Sequence, residues 1–130
     1  PMAGDVLQQV LSFLELSAQA MQALGVEKTR IVVDPGIGFG KTVAQNFTLL
    51  ARQRELLVLG YPVLAGWSRK SSLGAVTGLD VDQRLQPSVA AALLAVERGA
   101  RIVRVHDVRE TVQALAVWRA MESSEAVGAP

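Results

Sequence analysis

The chain has no cysteine among its 130 residues, so it can form neither a disulfide nor a thiolate metal site. Charge is also sparse: 19% of residues are charged and the net charge is +1. A balance this near zero gives no bulk attraction to nucleic acid or to an anionic membrane, so any anion site must be local. No apolar run reaches the length of a bilayer span, and no signal-peptide pattern is present. A soluble, cytosolic protein is the expectation. Position 1 is proline rather than methionine, which points to processing or to a piece of something longer. What the chain does have is apolar residues, at 50% of the total. That suffices for one packed domain of ordinary size and argues against disorder.

Asp34-Pro35-Gly36-Ile37-Gly38-Phe39-Gly40-Lys41 is the most distinctive stretch. It follows the β-branched run Ile31-Val32-Val33 and precedes a helical pattern. Bare backbone in a strand-to-helix turn admits positive φ and lets an anionic ligand approach closely. The plainer reading is a tight turn with incidental charges. Two standard loops are excluded by spacing. A Walker A loop would need glycine where Pro35 stands, and Gly36 is one residue too close to Gly40-Lys41-Thr42. In a dinucleotide fingerprint beginning at Gly36 and Gly38, the third glycine would fall on Lys41.

Hydrophobic spacing places a helix over residues 5–24, capped by Asp5 with Gln8. Its apolar face holds Val6, Leu7, Val10, Leu11, Leu14, Ala18 and Met21, with Phe13 as a further candidate, and Gly25 ends it. Arg30 to Val33 read as a buried strand. Thr42 with Gln45 opens a second helix that ends near Gly60 and shows Val43, Phe47, Leu50, Arg54 and Leu57 on one side. Pro62 to Gly66 read as a second strand, followed by the polar loop Trp67-Ser68-Arg69-Lys70-Ser71-Ser72 and a short helix up to Gly78. A helix over Leu85 to Arg98 closes at Gly99. Arg101 to Val105 read as a third strand. Val108 to Met121 read as an amphipathic helix carrying Val112, Leu115, Ala116, Val117 and Trp118, and the polar tail from Glu122 to Pro130 is expected to fray. One helix followed by three strand–helix units predicts an α/β fold with a parallel sheet and right-handed crossovers. Asp34, Lys70 and Arg104 recur at intervals of 36 and 34 residues. All three therefore fall at strand C-termini, the edge where such folds carry their chemistry.

Three motifs now stand in order: the glycine stretch, Gly66-Trp67-Ser68-Arg69-Lys70-Ser71, and Arg104-Val105-His106-Asp107-Val108. Together they closely resemble dihydropteroate synthase, an enzyme family of folate biosynthesis and the target of sulfonamides, over almost the whole chain to Met121. The resemblance implies the C-terminal part of a (β/α)8 TIM barrel. The three strands would be the sixth to eighth, the opening helix the fifth, and the first five strands would be absent. Residues 1–121 would form this pterin-binding segment, with 122–130 as the tail. It implies condensation of 6-hydroxymethyl-7,8-dihydropterin pyrophosphate with para-aminobenzoate to give 7,8-dihydropteroate and pyrophosphate.

The resemblance also implies roles for single residues. Asp34 would accept from the pterin amino and ring N–H groups. Lys70 and Arg104 are the catalytic candidates. Lys70 would contact the pterin beside the aminobenzoate, and Arg104 would stack on the pterin face and bind pyrophosphate. His106 would donate to pyrophosphate. Phe39 and Ser71 would contact the aminobenzoate, and Gly38, Gly66 and Ser68 would line the site. The bland alternatives stand beside these: Lys70 as a surface lysine, His106 as a structural side chain, Phe39 as a cover for the core. Trp67 is expected to pack, Asp107 to cap the last helix, and Arg69 to be structural or salt-bridged. Lys41 is a weak candidate that screens the helix end or holds the loop. The family uses Mg²⁺, whose protein ligand would lie in the missing first loop, so no metal ligand is named here. The full-length family is commonly homodimeric. The segment alone is expected to be inactive and to expose sheet edges. Two other readings remain: the pterin-binding domain of a corrinoid-dependent methyltransferase, against which Ser68-Arg69-Lys70-Ser71 speaks, and a non-catalytic remnant.

Overall fold

The computed structural model describes residues 4–128. Helix α1 spans Val6–Ala23. Its first turn is closed by Asp5, whose Oδ1 accepts the N–H groups of Leu7 at 3.0 Å and Gln8 at 3.3 Å. Val6, Leu7, Val10, Leu14 and Ala18 are buried. They recur every three or four residues and so form one stripe. Phe13 and Met21, assigned to that stripe by spacing, are 65% and 45% exposed. Phe13 sits at the stripe's margin, and Met21 lies a turn beyond the buried end.

Helix α2 (Val43–Ala51) starts from a complete capping box, with Thr42 Oγ1 accepting from Gln45 N and Gln45 Oε1 accepting from Thr42 N. It tightens into a 3₁₀ segment over Gln53–Leu59 and stops at Gly60. Strand β1 (Val63–Ala65) leads to the short helix α3 (Ser71–Thr77). Helix α4 (Leu85–Glu97), strand β2 (Ala100–Val103) and helix α5 (Val108–Gly128) complete the order. Helix α5 runs past Met121, so the polar segment from Glu122 is helical as far as Gly128.

β1 and β2 pair in parallel, with Val63 opposite Ala100 and Ala65 opposite Val103. The first expected strand is reduced to one bridge, Val33 to Val63, also parallel. Lys28–Arg30 are 3₁₀, and Val33 keeps two ladder bonds: its N–H to Pro62 O at 2.9 Å, and its carbonyl from Leu64 N at 2.8 Å. The described fold is thus mixed α/β, with β1 in the middle. Its core joins Leu7, Leu14, Val33, Leu49, Leu56 and Val63 to Ala91, Ala95 and the indole of Trp67, which lies 5.0 Å from the Phe47 ring. Along α5 the buried and half-buried positions include Thr111, Ala114, Leu115 and Trp118, whereas Val112 and Val117 are 59% and 72% exposed.

Candidate functional site

The chain leaves the bridge at Val33 and reverses at once. Asp34 Oδ1 accepts the Gly36 N–H at 2.8 Å, an Asx turn that starts the glycine loop. Gly36, Gly38 and Gly40 all have positive φ, at +72°, +90° and +63°, a run that only glycine adopts without strain. Lys41 Nζ donates back to the carbonyls of Gly36 at 2.8 Å and Phe39 at 2.9 Å, so its role is to hold the loop. Burial pushes its ammonium below the ordinary lysine range, against the opposing pull of Asp34.

The second turn follows β1. Lys70 Nζ donates to Ile37 O at 3.1 Å and stands 4.7 Å from the Phe39 ring centroid, so it ties the two loops together. Ser68 is buried, and its Oγ accepts the His106 backbone N–H at 3.1 Å and lies 2.8 Å from His106 Nδ1. With Nδ1 occupied, Nε2 is the ring nitrogen available to a ligand. Arg104 begins where β2 ends, its N–H bonded to Ala65 O at 3.0 Å. Its guanidinium crosses bare Gly66, where any Cβ would collide with it, and reaches Asp34 Oδ2 at 3.6 Å. That pair is open to water and contributes about 1 kcal/mol at most, so a ligand can displace it readily.

Asp34, Lys70, Arg104 and His106 therefore share one rim. Gly66, Ser68, Lys70, Arg104, Val105 and His106 line a cleft of about 190 Å³ there. Gly38 adjoins it, since a Cβ on this residue would sit 3.5 Å from Lys70 Cδ. Phe39 is 68% exposed and does not cover the core. Ser71 opens α3 at the surface, outside the cleft lining. Arg69 is salt-bridged to Asp107, Nη2 to Oδ1 at 3.1 Å, while Asp107 Oδ2 is buried without a hydrogen-bond partner, so at the start of α5 Asp107 accepts through its backbone carbonyl, from the Thr111 N–H at 3.1 Å. A larger hollow of about 460 Å³ lies elsewhere, beside Val103 and Trp118. Its charges, Glu97 and Glu122 with Arg101 and Arg119, balance one another, and no motif falls in it.

One residue of the site went unread in the sequence. Asn46 is 1% exposed. Its Oδ1 accepts the Gly38 N–H at 3.0 Å, and its Nδ2 donates to Ser72 Oγ at 2.9 Å. It fastens the glycine loop to α3. A signal was present: a lone amide on the apolar side of α2, one turn before Leu49 and Leu50.

Residues 1–106 match the family model described as pterin binding enzyme. The chain belongs to the pterin-binding enzyme family. It is 48% identical over 120 residues to the dihydropteroate synthase of Haemophilus influenzae, an alignment covering 92% of this chain and 44% of that protein. It superposes on the Stenotrophomonas maltophilia dihydropteroate synthase, which holds an active site-bound imidazole, with a TM-score of 0.92 and 53% identity over 94% of this chain and 46% of that one. The Xanthomonas albilineans dihydropteroate synthase in complex with 7,8-dihydropteroate gives a TM-score of 0.92 and 50% identity, over 94% and 47%. The chain thus spans a little under half the length of these relatives. No helix among the described residues is long and apolar enough to cross a membrane.

Proposed function

We propose that this chain is the pterin- and diphosphate-gripping part of a dihydropteroate synthase, the C-terminal segment of its (β/α)8 barrel. The observation that carries this is the meeting of Asp34, Lys70 and Arg104 at one rim. The Arg104–Asp34 distance is 3.6 Å, and Lys70 is bonded to the loop that Asp34 opens. Asp34 accepts from the donor edge of the pterin, Oδ2 exchanging Arg104 for the ligand. Arg104 lays its planar guanidinium along the ring and reaches the diphosphate with its free N–H groups. Lys70 donates to the pterin beside the aminobenzoate, and His106 donates from Nε2 to a diphosphate oxygen. Phe39 and Ser71 flank the aminobenzoate side.

In the reaction the amine nitrogen bonds to the pterin methylene as the carbon–oxygen bond to pyrophosphate breaks, and the amine loses a proton. The residues act by positioning and by meeting charge where it develops on the leaving group. Mg²⁺, which the family uses, would supply positive charge to the diphosphate, but these residues do not fit a resident site for it. The rim is largely cationic, its one carboxylate is engaged by Arg104 and Gly36, and no cluster of three metal-ligating side chains occurs among the described residues. A homodimer is the expected assembly of the complete enzyme.

Titration of 6-hydroxymethyl-7,8-dihydropterin against the wild type, Lys70→Ala and Arg104→Ala tests the reading. Each variant is expected to bind at least about tenfold more weakly, the worth of one charge-assisted contact. Equal affinity in all three proteins would sink it.

A further inference from the structure

Arg69 is the one non-glycine residue with positive φ among those described, at +59°. A side chain with a Cβ adopts this left-handed conformation only where its surroundings enforce it. Here three contacts do so, and two of them come from α4 and the turn before it. The Arg69 N–H donates to Ser88 Oγ at 2.8 Å, and the Arg69 carbonyl accepts from Arg84 Nη1 at 3.1 Å. The third is the Asp107 salt bridge at 3.1 Å.

Both supports are themselves rigid. Ser88 is 4% exposed inside α4. Arg84 is pinned by its Nε–H to Leu79 O at 2.9 Å and lies against Gly74, where a Cβ would run into the guanidinium. Lys70 follows Arg69 directly. Its own N–H closes the turn onto Trp67 O at 3.1 Å, so the twist at Arg69 decides where the Lys70 side chain leaves the backbone.

We propose that Arg84 and Ser88 are positioning residues for the cleft: they lock the Ser68–Lys70 turn in its left-handed form and so set Lys70 against the glycine loop. The proposal rests on the reading of Lys70 as a pterin contact, and its test separates the two. The Lys70 ammonium stands over the Phe39 ring, so the Lys70 Cε protons should carry an upfield ring-current shift in the NMR spectrum of the chain, with Phe39→Ala as the control that removes it.

Ser88→Ala and Arg84→Ala are each expected to diminish that shift and to weaken binding of 6-hydroxymethyl-7,8-dihydropterin about tenfold, the worth of one well-made hydrogen bond. Adding Arg69→Asn to Ser88→Ala should restore both in large part, because asparagine accepts the left-handed conformation more readily, a gain that outweighs the loss of the half-exposed Asp107 salt bridge. A general loss of packing would not be repaired that way. Retention of the wild-type Lys70 shift in both single variants, or failure of Arg69→Asn to restore anything, would overturn the proposal. If the wild type binds no pterin while the Lys70 shift follows the expected pattern, the turn lock is supported and the functional reading falls instead.

Discussion

Gly66 and Asn46 shape the site without adding charge to it. At Gly66 the space a methyl group would need is filled by the Arg104 guanidinium, the mobile end of a long side chain. Gly66→Ala is therefore expected to leave the denaturation midpoint nearly unchanged while it pushes Arg104 off Asp34 and lowers pterin affinity about tenfold; paired denaturation and titration curves check this. Asn46→Ala works the other way. It strips partners from the Gly38 N–H and the buried Ser72 hydroxyl, at a cost of about 1–3 kcal/mol. Urea unfolding and faster amide exchange at Gly38 are the measurements. At this scale the sequence brought the polar side chains of the rim into view, because Asp34, Lys70, Arg104 and His106 stand in motifs at strand ends. It did not show the supports. Asn46 was visible only as a polar interruption of an apolar stripe, and nothing in the letters Ser-Arg-Lys announces a left-handed arginine.

Helices were legible where a cap or a glycine marks them. Asp5 and Thr42 open α1 and α2, and Gly78 and Gly99 follow α3 and α4. Thr42→Ala removes the bond that Thr42 Oγ1 accepts from the Gln45 N–H, one half of the box where the glycine loop enters α2. We expect a loss of about 1 kcal/mol, read as a lower urea midpoint with an unchanged slope. Strands were less legible, because a strand exists through its neighbours. Ile31-Val32-Val33 has the right residues, yet only Val33 bridges β1; Val32, turned away, is 44% exposed. In α5 the apolar residues Val112 and Val117 fall off the line of Thr111, Leu115 and Trp118, so counting hydrophobic residues overstated the buried face.

Across the whole molecule, no described strand covers the outer edge of β2, and Ile102 on that strand is 41% exposed. Unpaired edges of this kind recruit further strands. Sedimentation of the wild-type chain is expected to show a mass that rises with concentration, and Ile102→Lys should reduce the rise by placing a charge on the edge. The Asp34–Arg104 pair, open to water at 3.6 Å, carries a different implication. At this rim each ion already serves as a substitute guest for the other. Occupancy is then a swap of companions rather than a gain from nothing, and any affinity measured at this rim reports the difference between two embraces. Replacing either member of the couple alters the resting protein as much as the loaded one.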